Sequence, residues 1–103
     1  MKTLNEHEKY VVEKAFSRLT KNSVDKQLVH EPVNLKADYF IDAESKFTTC
    51  ILKNGRNLSV GTTKRCTYEG HRSKADENDP ERGKDIALTR AFKNYAVGNI
   101  VRI

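Results

Sequence analysis

The sequence predicts a single α+β domain in which two amphipathic helices accompany one small antiparallel β-sheet. Three observations carry that prediction. An apolar stripe recurs at helical spacing near the N-terminus, a tight hairpin is written around Asn54-Gly55, and a second helix opens sharply after Asp79.

The first helix is expected over about residues 5–19, because Tyr10, Val11, Val12, Ala15, Phe16 and Leu19 fall on one side of a 3.6-residue period. Asn5 followed by Glu8 has the form of a capping box. The apolar arc needs a partner, which could be the chain's own core or another protomer. Residues 20–36 show weak periodicity and read as a connector with at most a short helical turn. A short strand is expected at Ala37–Ala43.

Phe47–Leu52 is rich in β-branched and aromatic residues, and Asn54-Gly55 is the preferred pair for a type I′ turn. On the return strand Leu58 and Val60 alternate with polar residues. After Gly61 a polar stretch runs to about Asn78, long enough without evident secondary structure to be a functional loop. Asp79 then offers an N-cap, Pro80 suits the first helical position, and Gly98 supplies a stop after about Val97. Leu88, Ala91, Phe92 and Tyr95 form one apolar stripe of this helix. Gly83, Ala87 and Ala91 are small enough to let it lie close on the hairpin. Ile100, Val101 and Ile103 are apolar enough to dock as a terminal strand.

A chain of 103 residues with 37% hydrophobic and 32% charged side chains and no Trp has a thin core, so a homo-oligomer is expected. No signal-peptide or membrane-spanning apolar run is evident, and the cytosol is the expected compartment. Cys50 and Cys66 match no zinc spacing and read as reduced thiols.

The net charge of +5 is unevenly placed. Residues 1–52 carry eight basic and eight acidic side chains, and residues 75–103 carry five of each. Between them Lys53, Arg56, Lys64, Arg65, Arg72 and Lys74 face only Glu69, which accounts for the whole excess. An anion-binding face is therefore expected to involve residues 53–74.

Catalysis would need a nucleophile with its base, paired carboxylates or a metal. His7, His30 and His71 form no metal motif, the acidic run Asp76–Asp79 lacks the spacing of a calcium loop, and no phosphate-binding glycine motif is present. No catalytic residue, metal or cofactor is expected. What remains is a ligand-binding set: Lys64, Arg65, Arg72 and Lys74 around Tyr68, with Asn78 close to the positive end of the second helix. Arginine forks grip phosphate oxygens, a ring stacks on a base, and an amide reads a base edge or ribose hydroxyl. A solvated basic loop is the alternative on these residues alone.

The run Phe47-Thr48-Thr49-Cys50-Ile51-Leu52-Lys53-Asn54-Gly55, then Val60-Gly61-Thr62, then Gly83-Lys84-Asp85-Ile86-Ala87 with Ala91 four residues on, resembles a family of short phage proteins. The group includes the Thoeris anti-defence protein one cyclic-nucleotide sponges. The resemblance spans roughly residues 45–100, within a core of about 37–103. It implies a sponge that binds, without cleaving, cyclic ADP-ribose isomers made by TIR-domain enzymes, so blocking Thoeris-type defence. Cyclic oligonucleotides of CBASS-type systems are a further implied ligand. It also implies dimers or hexamers in the host cell cytoplasm.

On this reading Arg65, Tyr68, Arg72, Asn78, Lys84 and Arg90 line one nucleotide pocket between the loop and the second helix, across a protomer boundary. Arg56 and Lys64 form a second anion site. Two rival readings stay open. A single-stranded nucleic-acid binder would need several stacking aromatics, and the basic segment holds only Tyr68, so long nucleic acid is not expected. An inhibitor of a host protein would instead use the first helix.

Overall fold

The computed structural model describes residues 2–22, 32–42, 47–64 and 80–103. In chain order these form β1 (Lys2–Thr3), α1 (Glu6–Asn22), β2 (Lys36–Asp42), β3 (Phe47–Asn54), β4 (Asn57–Lys64), α2 (Pro80–Ala96) and β5 (Val101–Arg102). The strands make one antiparallel meander in the order β1-β2-β3-β4-β5. The architecture is α+β, with α2 packed on β3 and β4 and α1 against α2. The two-residue strand β1 carries no sequence signal. Its pairing of Lys2 with Ala37 extends the sheet beyond the predicted hairpin and strand.

The helix ends follow the sequence closely. Asn5 Oδ1 accepts from the Glu8 amide at 2.8 Å, while Glu8 Oε1 accepts from the Asn5 amide at 2.9 Å, a reciprocal capping box. At the other end of the fold Gly98 adopts φ +88°. The Asn99 amide reaches Asn94 O at 2.8 Å and the Gly98 amide reaches Tyr95 O at 3.2 Å, which is a Schellman closure of α2. Asp79, the predicted cap of α2, lies outside the described residues.

The hairpin turn differs from expectation by one position. Asn54 pairs with Asn57, so the loop residues are Gly55 and Arg56 rather than Asn54 and Gly55. Gly55 has φ +61° and Arg56 does not adopt positive φ, the sign pattern of a type II′ turn, in which glycine takes the first loop position. β5 docks as predicted, pairing Leu58 with Val101, and the Ile103 amide reaches Arg56 O at 2.8 Å.

The core lies between the helices and one face of the sheet. It joins Val12 and Ala15 of α1, Cys50 and Leu52 of β3, and Leu88, Phe92 and Tyr95 of α2. Phe16 meets Phe92 edge-on, with ring centroids 6.2 Å apart, so the apolar arc of α1 packs within its own chain. Tyr10, expected in that arc, is instead 61% exposed.

On β4, where Leu58 and Val60 alternate with polar residues, it is not the apolar pair that takes the inward side. Ser59 and Gly61 face the helices instead, both buried. The reason is the height of α2 above the strand. A Cβ on Gly61 would lie 2.2 Å from the Ala91 amide nitrogen and 2.3 Å from Ala87 O, so only small residues fit beneath the helix. Ala87 and Ala91 thus act as the predicted small-residue seam, and Gly61 is its counterpart on the strand.

Candidate functional site

α1 and α2 lie side by side, and an open groove runs between their outer faces. Two hollows, of about 350 Å³ and 230 Å³, share Arg18, Asp85 and Thr89 on their walls. Helical geometry explains which side chains meet there. On α1, residues His7, Tyr10, Lys14 and Arg18 follow the three- and four-residue spacing that keeps side chains on one stripe. On α2, Arg82, Ile86, Thr89 and Lys93 do the same.

Lys14 and Arg18 therefore approach from one helix, and Arg82, Arg90 and Lys93 from the other. Against these five cations stands Asp85, the one acid among the described residues lining the groove. Its two carboxylate oxygens each lie 2.9 Å from His7 Nε2, which ties this carboxylate to the opposite helix. Tyr10 adds an exposed ring at one end, with Lys14 Nζ 6.0 Å from its centroid.

The larger hollow falls at the small end of the range typical of ligand sites, about 300–1,000 Å³. Its four cations, Arg18, Arg82, Arg90 and Lys93, can hold a phosphate-bearing anion, and Tyr10 in the adjoining hollow gives a flat base a surface to stack on. Among the described residues no cluster of three or more His, Cys, Asp or Glu could hold a metal, and no helix is long and apolar enough to cross a membrane.

Of the residues predicted for the pocket, Arg65, Tyr68, Arg72 and Asn78 lie outside the described residues, as does Lys74. Lys84 and Arg90 are both on α2 but do not meet. Six residues at about 100° each separate them by about 120° around the helix. Lys84 turns toward the sheet, with Nζ 5.6 Å from the Tyr39 ring centroid. Arg90 lines the groove and also donates to Thr62 O at 2.7 Å. That bond and the one from Asn94 to Val60 O at 2.9 Å cover acceptors on the outer edge of β4.

Arg56 and Lys64, expected to share an anion site, sit at opposite ends of β4. Eight residues of strand at about 3.3 Å each hold them about 26 Å apart. Lys64 Nζ lies 5.7 Å from the Phe47 ring centroid on the sheet face away from the helices.

Beneath the N-terminal ends of the two helices is a smaller polar cluster. Tyr39 donates its hydroxyl proton to Glu8 Oε2, and its pKa is raised well above the ordinary tyrosine value, first by burial and then by that bond. Cys50 is fully buried, and burial, followed by the nearby Glu8 charge, pushes its thiol up to about 12. A thiol held protonated in this way behaves as a small hydrophobic side chain.

Sequence reasoning missed Lys14, Arg18, Arg82 and Lys93 because it counted charge by segment. Both chain ends are neutral in sum, yet each helix turns cations toward the shared groove. A count of charge by helix face would have found them. Comparison with protein-family models, curated proteins and solved structures yields no match to this chain.

Proposed function

We propose that this chain is a non-catalytic sponge that captures a compact cyclic nucleotide signal in the α1–α2 groove. The observation that carries the reading is a pair of adjoining cationic hollows, one lined by Arg18, Arg82, Arg90 and Lys93 and the other by Lys14, Arg18 and the exposed Tyr10. A cyclic ADP-ribose isomer has matching chemistry: a pyrophosphate for the cations, an adenine face for the ring, and ribose hydroxyls for groups such as Thr89. The resemblance of residues 45–100 to anti-defence sponges supports the same ligand class and a homo-oligomer acting in a host cell's cytoplasm. Cyclic oligonucleotides are the second ligand class to test.

A sponge works by affinity, and each tenfold in affinity corresponds to about 1.4 kcal/mol. Arginine suits this task, because a planar fork can take two phosphate oxygens at once. Arg65, Tyr68, Arg72 and Asn78 remain proposed ligand contacts and are tested by the same titration.

One observation favours a second reading. The two open hollows adjoin through Arg18, Asp85 and Thr89 and together make an elongated cationic surface of the kind a single-stranded nucleic acid uses. The deciding experiment exposes the purified protein to products of a TIR-domain enzyme, denatures it, and identifies released nucleotide by mass spectrometry. The sponge reading expects an intact cyclic nucleotide. Release of nothing, together with tight oligonucleotide binding that weakens steeply with salt, would replace it with the nucleic-acid reading.

A further inference from the structure

An antiparallel sheet with one face in water normally turns its apolar residues inward and its polar residues outward. In this fold β4 does the reverse. Asn57, Ser59, Gly61 and Thr63 lie on the side of the helices, while Leu58 and Val60 lie on the other. Register extends the pattern across the sheet, because Val60 is opposite Ile51 and Leu58 is opposite Val101. Phe40, Phe47, Val60 and Val101 on this outer face are 58%, 42%, 41% and 62% exposed. Among the described residues nothing covers them. Since Gly61 pins the register of β4, this exposure is built into the fold and is not a slip of one residue.

We propose that this outer sheet face is the contact surface for a second copy of the same chain. Charge favours a self-contact here. The face carries Lys36, Lys53 and Lys64 against Asp38 and Asp42, so two apposed copies add little net charge. The helix side, with five cations in its groove, would repel a copy of itself. A polyanionic partner would be drawn to that groove and not to a nearly neutral apolar plate.

The flat area of the face is of the order an interface needs, with side-chain relief and β5 making up the rest. The three central strands β2, β3 and β4, spaced about 4.8 Å apart and rising about 3.3 Å per residue over seven, eight and eight residues, outline a plate of about 360 Å² before side-chain relief and β5 are included. A specific interface needs about 1,000 Å² in total, or about 500 Å² from each copy. Two such sheets stack about 10 Å apart with their strands roughly aligned, and an isologous contact sets the central Ile51 beside its counterpart.

The test uses the full chain and no ligand, so its outcome is separate from that of the nucleotide reading. Light scattering between about 1 and 100 μM at about 0.15 M salt, where exposed charges are screened beyond about 8 Å, should give twice the 11.8 kDa chain mass or a multiple of that pair. Val60→Lys and Phe40→Lys alter exposed positions outside the core, and each should weaken association at least about 100-fold with an unchanged circular dichroism spectrum. Because the two variants lie on different strands, failure of one to fold leaves the other decisive. Arg18→Glu, in the groove, should leave the mass unchanged. A wild-type monomer at about 100 μM, or an assembly that persists in both sheet variants, overturns the proposal.

Discussion

Replacing Gly61 with Ala tests what seats α2 on the sheet and thereby fixes the height of the groove. The new methyl would lie 2.2 Å from the Ala91 amide nitrogen, 2.3 Å from Ala87 O and 2.8 Å from the Arg90 carbonyl carbon. All three are backbone atoms, so no side chain can swing aside. Restoring an ordinary contact of 3.4 Å requires the helix to rise by about 1.2 Å. Such a rise stretches the bonds from Ser59 to Ala91 O at 3.0 Å, Asn94 to Val60 O at 2.9 Å and Arg90 to Thr62 O at 2.7 Å. Each is worth about 0.5–1.5 kcal/mol net, and overpacking a core adds about 1–3 kcal/mol. The expected loss is about 3–5 kcal/mol, read by urea denaturation, with a fall in Tm of at least about 12 °C. Gly55→Ala is the control. It meets nothing within 4 Å and carries only the strain of φ +61°, about 1–2 kcal/mol. A loss below about 1 kcal/mol for Gly61→Ala would refute the close seating of α2.

Arg18→Ala and Lys93→Ala should each weaken cyclic ADP-ribose isomer binding at least about tenfold by calorimetry, whereas Lys84→Ala, on the sheet side of α2, should change it less than about threefold. Equal effects at all three positions would place the ligand elsewhere. In a Cys66→Ser background Cys50 should resist alkylation at pH 8 until the protein unfolds, and rapid native labelling would contradict its burial. Burial pushes its pKa in the folded chain up to about 12, above the ordinary thiol value of 9.0, so the protonated thiol's contribution is complete below about pH 9 and is lost as pH rises toward 12. Stability measured by urea should therefore fall across that window, less so in Cys50→Ala. Tyr39→Phe removes the donor to Glu8 and should cost about 1–2 kcal/mol by the same assay, and an unchanged midpoint would rule that bond out as a support of α1.

Where local chemistry decides structure, the sequence was legible. The Asn5–Glu8 box, the stop at Gly98, the small-residue seam of α2 and the docking of Val101 all follow from short-range rules. Local reasoning erred where a tertiary contact outvoted it. Alternation along β4 does not say which side faces inward, and Gly61 beneath Ala87 and Ala91 sets that register and turns Leu58 and Val60 out. The hairpin loop moved to Gly55-Arg56 because the ladder closes at Asn54 and Asn57. Tyr10 matched the period of the apolar arc, yet its place at the margin leaves it in water. For the groove, the summed charge of a segment hid the arrangement of charge on its faces.

Tyr10 on one side and the pair Leu58 and Val60 on the other give the molecule two unlike outer surfaces. Tyr10 joins the cations on the helix side, and Leu58 with Val60 joins Phe40 and Phe47 on the sheet side. The sheet lies between them, so a copy seated on its outer face cannot also close the α1–α2 groove of the same chain. In the assembly we propose, each chain keeps a complete groove on the outside of the pair, and α1 takes no part in the contact. This differs from a pocket shared across a protomer boundary, and it follows from which face Gly61 allows α2 to occupy. Affinity must then come from the groove's own cations and ring. Oligomerisation contributes by covering apolar surface that a core of this size cannot bury, leaving the charged side of every chain available to an anion.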